Sequence, residues 1–259
     1  MSDTRIGAMR IGSLFSGIGG LELGLERAIP GAEVIWQVEQ DEYARQVLAK
    51  HWPKARRYND VREVGAHNLE RVDVICGGFP CQDISPAGKK SGLDGERSGI
   101  WAQYSRIIRE LLPRYVIVEN VPALLSRGMG RVLGDLASLR YDAVWDCIPA
   151  SFIGAPFSGQ GRDRMFIVAF TDSDRCLWPR VSRESEGQLV ASVARGDSPF
   201  VRVPGTAPGH WEDQSGVCRV SDGVRDRSHR IRCLGNAVVP QVAEVVGRVI
   251  IELEGASHE

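Results

Sequence analysis

The chain has 259 residues, of which 43% are hydrophobic and 25% are charged, and its formal net charge is -1. This length and composition predict one main α/β domain with a small additional region and a sizeable buried core. The near-zero net charge excludes a global attraction to polyanions, so any nucleic acid must be met by a local patch.

The six cysteines form no C-x-x-C pair and have no zinc-ligand spacing. They indicate reduced thiols in a cytoplasmic protein without a metal site. The sequence has no recognisable secretion signal and no apolar run of membrane-spanning length. Secretion and membrane insertion are therefore not expected.

The first strand is predicted over residues 9–15, and a glycine-rich turn follows at residues 16–20. Glycines there let backbone amides at the start of the next helix, residues 21–28, face a cofactor. A second strand, residues 33–38, ends in Glu39. An acid at this position can bind both hydroxyls of an adenosine ribose, or it can cap the next helix. The turn and the acid together favour an adenosine-containing cofactor.

Asp60 follows the second predicted helix and has two interpretations. Its carboxylate can accept a hydrogen bond from an adenine amino group, or it can cap a helical turn over residues 61–66. The local sequence leaves this choice open.

A short apolar run at residues 72–76 stops at two glycines and delivers Pro80 and Cys81 at the carboxyl end of a buried strand. Ligands bind at this end of the strands in open α/β sheets. Taken alone, Cys81 is more typical of a small buried hydrophobe than of a nucleophile. The other polar groups along the chain reverse that interpretation.

The segment from 83 to 98 is rich in glycine and basic residues, which is typical of a lid that closes on a polyanion or of a solvated surface loop. An amphipathic helix, residues 100–112, comes next. The strand at residues 115–118 then delivers Glu119 at its carboxyl end, as the earlier strand delivers Cys81. Glu119 can cap a helix, but two such groups on adjacent strands can also converge on one pocket.

Alternation places Arg162 and Arg164 on one face of a strand that runs to residue 169. Buried arginines need a partner, and an anionic ligand or Glu119 can supply it. Composition changes after residue 170, and residues 171–230 indicate an insertion of loops and short strands or partial disorder. A final helix is predicted over residues 241–253.

The ordered set of motifs resembles the DNA cytosine-C5 methyltransferase family. The matching segments, in chain order, are Phe15-Ser16-Gly17-Ile18-Gly19-Gly20, Glu39, Asn59-Asp60-Val61, Gly77-Gly78-Phe79-Pro80-Cys81-Gln82, Arg97-Ser98-Gly99-Ile100-Trp101, Glu119-Asn120-Val121, Gln160-x-Arg162-x-Arg164 and Gly235-Asn236-x-Val238-Val239-Pro240. The resemblance implies a Rossmann-like class I S-adenosylmethionine-dependent methyltransferase, an α/β fold whose mixed sheet has helices on both faces. It also implies a discontinuous catalytic domain, residues 1–170 plus 231–259, around a short, irregular target-recognition region, residues 171–230.

By the same resemblance, Cys81 is the nucleophile that adds to cytosine C6, and Glu119 holds the N3 and N4 edge of the base. Arg162 braces the base, and Arg164 orients the catalytic groups. The residues implied to bind S-adenosyl-L-methionine, and its product S-adenosyl-L-homocysteine, are Phe15, Ser16, Gly17, Ile18, Gly19, Gly20, Glu39, Asp60, Val61, Pro80, Ile100, Asn236 and Val238. The residues implied to contact DNA around the loop are Gln82, Ser85, Lys89 and Arg97.

The implied partner is double-stranded DNA, with the target cytosine flipped out of the duplex, and a cognate restriction endonuclease is a second candidate partner. A monomer without a metal is expected. Two rival functions stay open: methylation of tRNA cytosine, which the Pro80-Cys81-Gln82 form disfavours, and silent DNA binding, which the intact catalytic set disfavours. The signature of zinc cytosine deaminases is missing from the sequence.

Overall fold

The structure is a computed structural model that describes residues 8–80, 99–150, 163–171 and 233–256. Its strands are β1 Arg10–Leu14, β2 Glu33–Val38, β3 Arg56–Tyr58, β4 Val74–Gly78, β5 Tyr115–Asn120, β6 Tyr141–Pro149 and β7 Asp163–Thr171. Its helices are α1 Gly20–Ala28, α2 Glu42–His51, a 3-10 turn Val61–Glu63, α3 Gly99–Leu111, α4 Leu124–Arg127, α5 Met129–Ser138 and α6 Pro240–Ala256.

The described strands form one mixed sheet in the order β3-β2-β1-β4-β5-β7-β6. The first five strands in this order run parallel, while β7 lies antiparallel to both β5 and β6. The carboxyl ends of β1, β2, β4 and β5 therefore meet at one edge, and the amino end of β7 joins them there. Ligand sites of open α/β sheets form at this edge.

Both faces of the sheet are covered by helices. The helix α3 buries Trp101, Tyr104 and Ile108 at helical spacing, and these side chains share one hydrophobic cluster with β4, β5 and α5. On the other face, Leu25 of α1 and Ile250 of α6 are fully buried in a second cluster. The two clusters pack the sheet between helices on both of its faces, so the edge that carries the site is supported from both sides.

Two glycines allow α1 and α6 to pack closely. A Cβ atom added to Gly24 would collide with the carbonyl oxygen of Pro240 and with Ala243, and one added to Gly247 would lie 2.6 Å from the Cβ of Ala28. One described segment, Cys233–Glu254, is long and apolar enough to cross a membrane by length and composition, so the expectation that no apolar run has this length was wrong. Its packing against α1 accounts for that apolar character.

The prediction of an α/β fold with a mixed sheet and helices on both faces is confirmed. The bounds of β2 match the prediction, but β5 continues through Glu119 and Asn120 instead of ending at residue 118, because both residues pair with β7. The final helix begins one residue earlier, at Pro240, where a missing N–H costs nothing. The predicted loop, residues 83–98, and most of the recognition region, residues 171–230, lie outside the described residues, and the domain division stays a prediction.

We expect Gly24→Ala to lower the free energy of unfolding by about 1–3 kcal/mol. The new methyl group would collide with backbone atoms of α6 that cannot move without distorting the helix packing. Gly134→Ala is the matched control, since Gly134 is exposed on α5 with open space at its Cβ position. That variant should gain roughly 0.5–1 kcal/mol from helix propensity. Urea unfolding measures both, and equal changes in the two variants would contradict the close packing of α1 on α6.

Candidate active site

A cavity of about 360 Å³ opens at the carboxyl edge of the sheet. Its walls come from the segments that follow β1 and β2, from the ends of β4 and β5, and from the start of β7. The nine predicted cofactor residues that line it are Phe15, Ser16, Gly17, Ile18, Gly20, Glu39, Pro80, Asn236 and Val238. Segments far apart in the sequence are thus brought together around one space.

The turn between β1 and α1 forms the floor of this cavity. Phe15, Gly17 and Gly19 have positive φ angles of 57°, 55° and 87°, so the chain turns sharply out of the strand into the helix. A Cβ atom added to Gly20 would collide with the carbonyl oxygen of Val238. The glycine at position 20 therefore lets the segment before α6 close against this turn.

The carboxylate of Glu39 is oriented by two backbone amides. Its Oε2 atom accepts a hydrogen bond from the Gly17 N–H at 2.7 Å, and its Oε1 atom accepts one from the Asp41 N–H at 2.8 Å. A carboxylate has about four lone-pair sites, so acceptor capacity remains for a ligand. Helix capping, the other interpretation of Glu39, belongs to Asp41, whose side chain accepts from the Ala44 N–H.

Glu119 and Arg164 form a nearly buried ion pair on the cavity wall. The Arg164 Nε atom lies 2.9 Å from Glu119 Oε1, and the side chains of Arg164 and Glu119 are only 15% and 11% exposed. Burial raises the pKa of Glu119 to about 7, and the charge of Arg164 opposes that rise. Arg164 of β7 is thus paired with Glu119, as predicted. The carboxyl group of Glu119 titrates near neutral pH.

Asn120 ties the end of β4 to the end of β5. Its Nδ2 atom donates to the carbonyl oxygen of Phe79 at 3.1 Å, and its Oδ1 atom accepts from the Val121 N–H. Pro80 follows Phe79 and lines the cavity. The segment that leads to residue 81 is thus fastened to the strand that carries Glu119.

A second buried acid, Glu22 of α1, was not among the predicted site residues. Its Oε1 atom accepts from the Ser13 hydroxyl at 2.6 Å, and Ser16 donates to Ser13 at 2.8 Å. Burial raises the pKa of Glu22 to about 7. Its spacing places Glu22 on the same helix face as the core residues Leu25 and Ile29, but this spacing alone does not single out a site residue.

Four predicted cofactor residues are not among those that line this cavity. Gly19 packs against Trp52, Val61 is buried in the core, and Ile100 packs against the same core. Asp60 caps the 3-10 turn by accepting from the Arg62 N–H, as the second of its two interpretations has it; the cap uses only Oδ1 and does not exclude a contact of Oδ2 with adenine. The Arg62 N–H, more than any other cause, lowers the pKa of Asp60.

The remaining predicted residues lie outside the described residues: Cys81, Arg162, Gln82, Ser85, Lys89 and Arg97. The described Cys76 is fully buried in strand β4, and burial raises the pKa of its thiol. Cys76 is therefore a core side chain. Within the described ranges, no group of three or more His, Cys, Asp or Glu side chains is placed to hold a metal ion.

Known proteins resemble this chain in sequence and in fold. A model of the C-5 cytosine-specific DNA methylase family matches residues 9–191, which is more than half of the chain. The chain belongs to this family.

Curated members of the C-5 cytosine methylase family share about a third of their aligned residues with this chain. Type II methyltransferase M2.BsuMI of Bacillus subtilis is 36% identical over 169 residues, which cover 62% of this chain and 42% of that protein. M.HhaI of Haemophilus parahaemolyticus is 30% identical over 174 residues, covering 66% of this chain and 51% of that protein. The chain thus spans about half the length of the curated relatives it matches.

Among solved structures, the methyltransferase EhMeth of Entamoeba histolytica superposes with a TM-score of 0.64 at 17% identity, covering 93% of this chain and 97% of that one. At this identity the likeness concerns the fold alone. The fold class is that of the S-adenosylmethionine-dependent methyltransferases, as predicted.

We expect Arg164→Ala to raise the pKa of Glu119 above its value of about 7, by roughly 1–3 units, because the opposing cation is removed while burial remains. Carbon-13 NMR titration of the glutamate carboxyl groups measures the change. Arg62→Ala removes an arginine from the exposed pair with Asp60 and should leave Glu119 unchanged. An unchanged Glu119 titration in Arg164→Ala would contradict the ion pair.

Proposed function

We propose that this chain transfers a methyl group from S-adenosylmethionine to C5 of a cytosine that is flipped out of double-stranded DNA. The observation that carries the proposal is the Glu119–Arg164 pair on the wall of the cavity that Pro80, the residue before Cys81, also lines. A buried acid beside the strand end that leads to a cysteine in the sequence suits a reaction that needs both a proton and a nucleophile.

The cavity suits the cofactor. It combines a glycine turn with backbone amides at the start of α1, an oriented carboxylate at Glu39, and a buried Glu22 oxygen without a partner among the described residues. Glu39 would hold the ribose hydroxyls, while Asn236 and Val238 would close the site from the segment before α6. When bound, S-adenosylmethionine supplies an electrophilic methyl group.

The carbon C5 of cytosine is a poor nucleophile, so the base must be activated. The Cys81 thiolate would form a bond to C6, and the displaced electron pair would make C5 an enamine-like carbon. That carbon would bond to the methyl group as the methyl–sulfur bond breaks, and the bonding electrons would stay on the sulfur of the product S-adenosylhomocysteine. A base then removes the C5 proton, the electrons return to expel the thiolate, and the aromatic ring is restored. Only the thiolate attacks, so neighbouring positive charge must favour it.

Glu119 would stabilise the charge that develops on the base. A carboxyl group with a pKa of about 7 carries a proton for part of the time at neutral pH and can share it with N3 of cytosine. Arg164 would keep this carboxyl group fixed in place, and Arg162 would brace the base. The target atoms are inaccessible inside a stacked duplex, so Gln82, Ser85, Lys89 and Arg97 would surround a flipped base.

The division of the chain supports a compact enzyme. The segment before α6 lines the same cavity as the turn after β1, so residues 231–259 would complete a catalytic domain begun by residues 1–170. Residues 171–230 would read the DNA sequence. We propose a cytoplasmic monomer whose partner is double-stranded DNA, paired with a cognate restriction endonuclease where a restriction-modification system is present.

We expect a stable covalent adduct with duplex DNA that contains 5-fluorocytosine when S-adenosylmethionine is present. After methyl transfer, C5 carries fluorine in place of the proton that a base would remove, so the thiolate cannot be expelled. Cys81→Ser should lose both the adduct and methyl transfer while S-adenosylmethionine binding persists. Cys147→Ser, a half-buried cysteine of β6, is the matched control and should keep the adduct. Denaturing gels and mass spectrometry of the adduct read out the result.

Retained methyl transfer in Cys81→Ser would overturn the assignment of Cys81 as the nucleophile. If neither the wild type nor any variant forms an adduct, the result would favour a DNA-binding protein without catalytic activity. A parallel assay with tRNA and duplex DNA separates the two substrate classes. Methylation of tRNA alone would overturn the DNA proposal.

We expect Glu39→Ala to weaken S-adenosylmethionine binding roughly 10-fold or more, since hydrogen bonds to a charged acceptor contribute about 1.5–3 kcal/mol. Glu42→Ala, which changes an exposed acid in the first turn of α2, should leave the affinity unchanged. Isothermal titration calorimetry gives both dissociation constants. An unchanged constant in Glu39→Ala would remove this residue from the ribose site.

A further inference from the structure

Glu22 is a buried residue of the cavity wall, and one of its carboxylate oxygens has no hydrogen-bond partner among the described residues. Its side chain is fully buried, its Oε1 atom accepts from Ser13, and its Oε2 atom has no hydrogen-bond partner among the described residues. Glu22 also lines the cavity. Gln37, the other described side chain with unpartnered buried polar atoms, does not line it. A buried carboxylate oxygen without a partner is costly, so its position on a binding cavity calls for an explanation.

The described surroundings of Glu22 contain hydroxyls and acids but no neighbouring cation. Ser13 and Ser16 contact it from the strand and the turn, Glu26 lies one helical turn along α1, and Cys76 faces it from β4. The remaining charged groups described on the cavity wall are Glu39, Asp41 and the Glu119–Arg164 pair, in which Arg164 is already committed to Glu119. No described side chain therefore matches the charge of an ionised Glu22, and a cationic ligand in the cavity can supply that charge.

We propose that Glu22 Oε2 accepts a hydrogen bond from the α-ammonium group of the methionine part of S-adenosylmethionine. The inference rests on the proposed function, because it requires the cavity to hold this cofactor. The cofactor carries two cations, an ammonium and a sulfonium, and only the ammonium has N–H groups to donate. The adenine amino group donates too, but it is neutral and leaves a buried carboxylate without a countercharge.

The same contact couples cofactor binding to a proton. Burial raises the pKa of Glu22 to about 7, so the free protein holds this carboxyl partly protonated at neutral pH. An ammonium group beside Oε2 favours the ionised form, and binding then releases the proton. Glu119 titrates in the same pH range. The number of protons that Glu22 releases is therefore measured as a difference between two ligands or between two variants.

The test compares S-adenosylhomocysteine with its desamino analogue, which lacks only the α-amino group. Calorimetry with wild type, Glu22→Gln and the control Glu33→Gln, an exposed acid at the amino end of β2, gives six dissociation constants. Glu22→Gln should weaken S-adenosylhomocysteine roughly 10–100-fold and leave the desamino analogue within about 2-fold of wild type. Glu33→Gln should change neither constant.

A second measurement needs only the wild-type protein. Titrations at pH 7 in buffers of different ionisation enthalpy count released protons. S-adenosylhomocysteine should release roughly half a proton more than the desamino analogue, as expected for a group that titrates near this pH. Equal proton release by the two ligands, or equal weakening of both by Glu22→Gln, would overturn the assignment of Glu22. If wild type binds neither ligand, the proposed cofactor site itself fails, which is a distinct outcome.

Discussion

The site depends on the pairing of Gly78 with Glu119 across β4 and β5. A side chain at position 78 would collide with Glu119 Oε2, so the glycine provides the space into which the carboxyl group folds. The antiparallel strand β7 then delivers Arg164 to the same edge, 2.9 Å from the other carboxylate oxygen. Parallel pairing alone cannot place this arginine there, because a parallel strand would start at the opposite edge. The mixed sheet is therefore what allows a buried, paired acid beside the cavity.

Two acids with a pKa near 7 share this cavity for different physical reasons. Glu119 is buried against a cation, which limits the rise in its pKa, whereas Glu22 is buried against hydroxyl groups and other acids. Under the two proposals, each acid serves a different ligand. Glu119 would exchange a proton with the base, and Glu22 would match the charge of the cofactor. Opposed environments around two carboxyl groups are a recurring way to divide such roles.

The sequence predicts the fold class because its apolar strands, glycine turns and amphipathic helices agree with one another. Glu39 and Glu119 could be found from their position after a strand, and the arginine partner of Glu119 from alternation along β7. Glu22 could not be singled out, since an acid on a helix is usually solvated and only the packing of α1 against the sheet buries this one. Asp60 had two interpretations, and its helix cap depends on the conformation of residues 61–63, which follows from contacts with α3.

Bisulfite sequencing of plasmid DNA from cells that express this chain tests most directly whether the cavity at the sheet edge supports methyl transfer to C5 of cytosine in duplex DNA. If it does, cytosines in one recurring sequence context will be protected from conversion, and that protection will be absent when the chain is not expressed. Complete conversion at every cytosine, with the protein folded and S-adenosylmethionine present, would contradict the proposed methyl transfer.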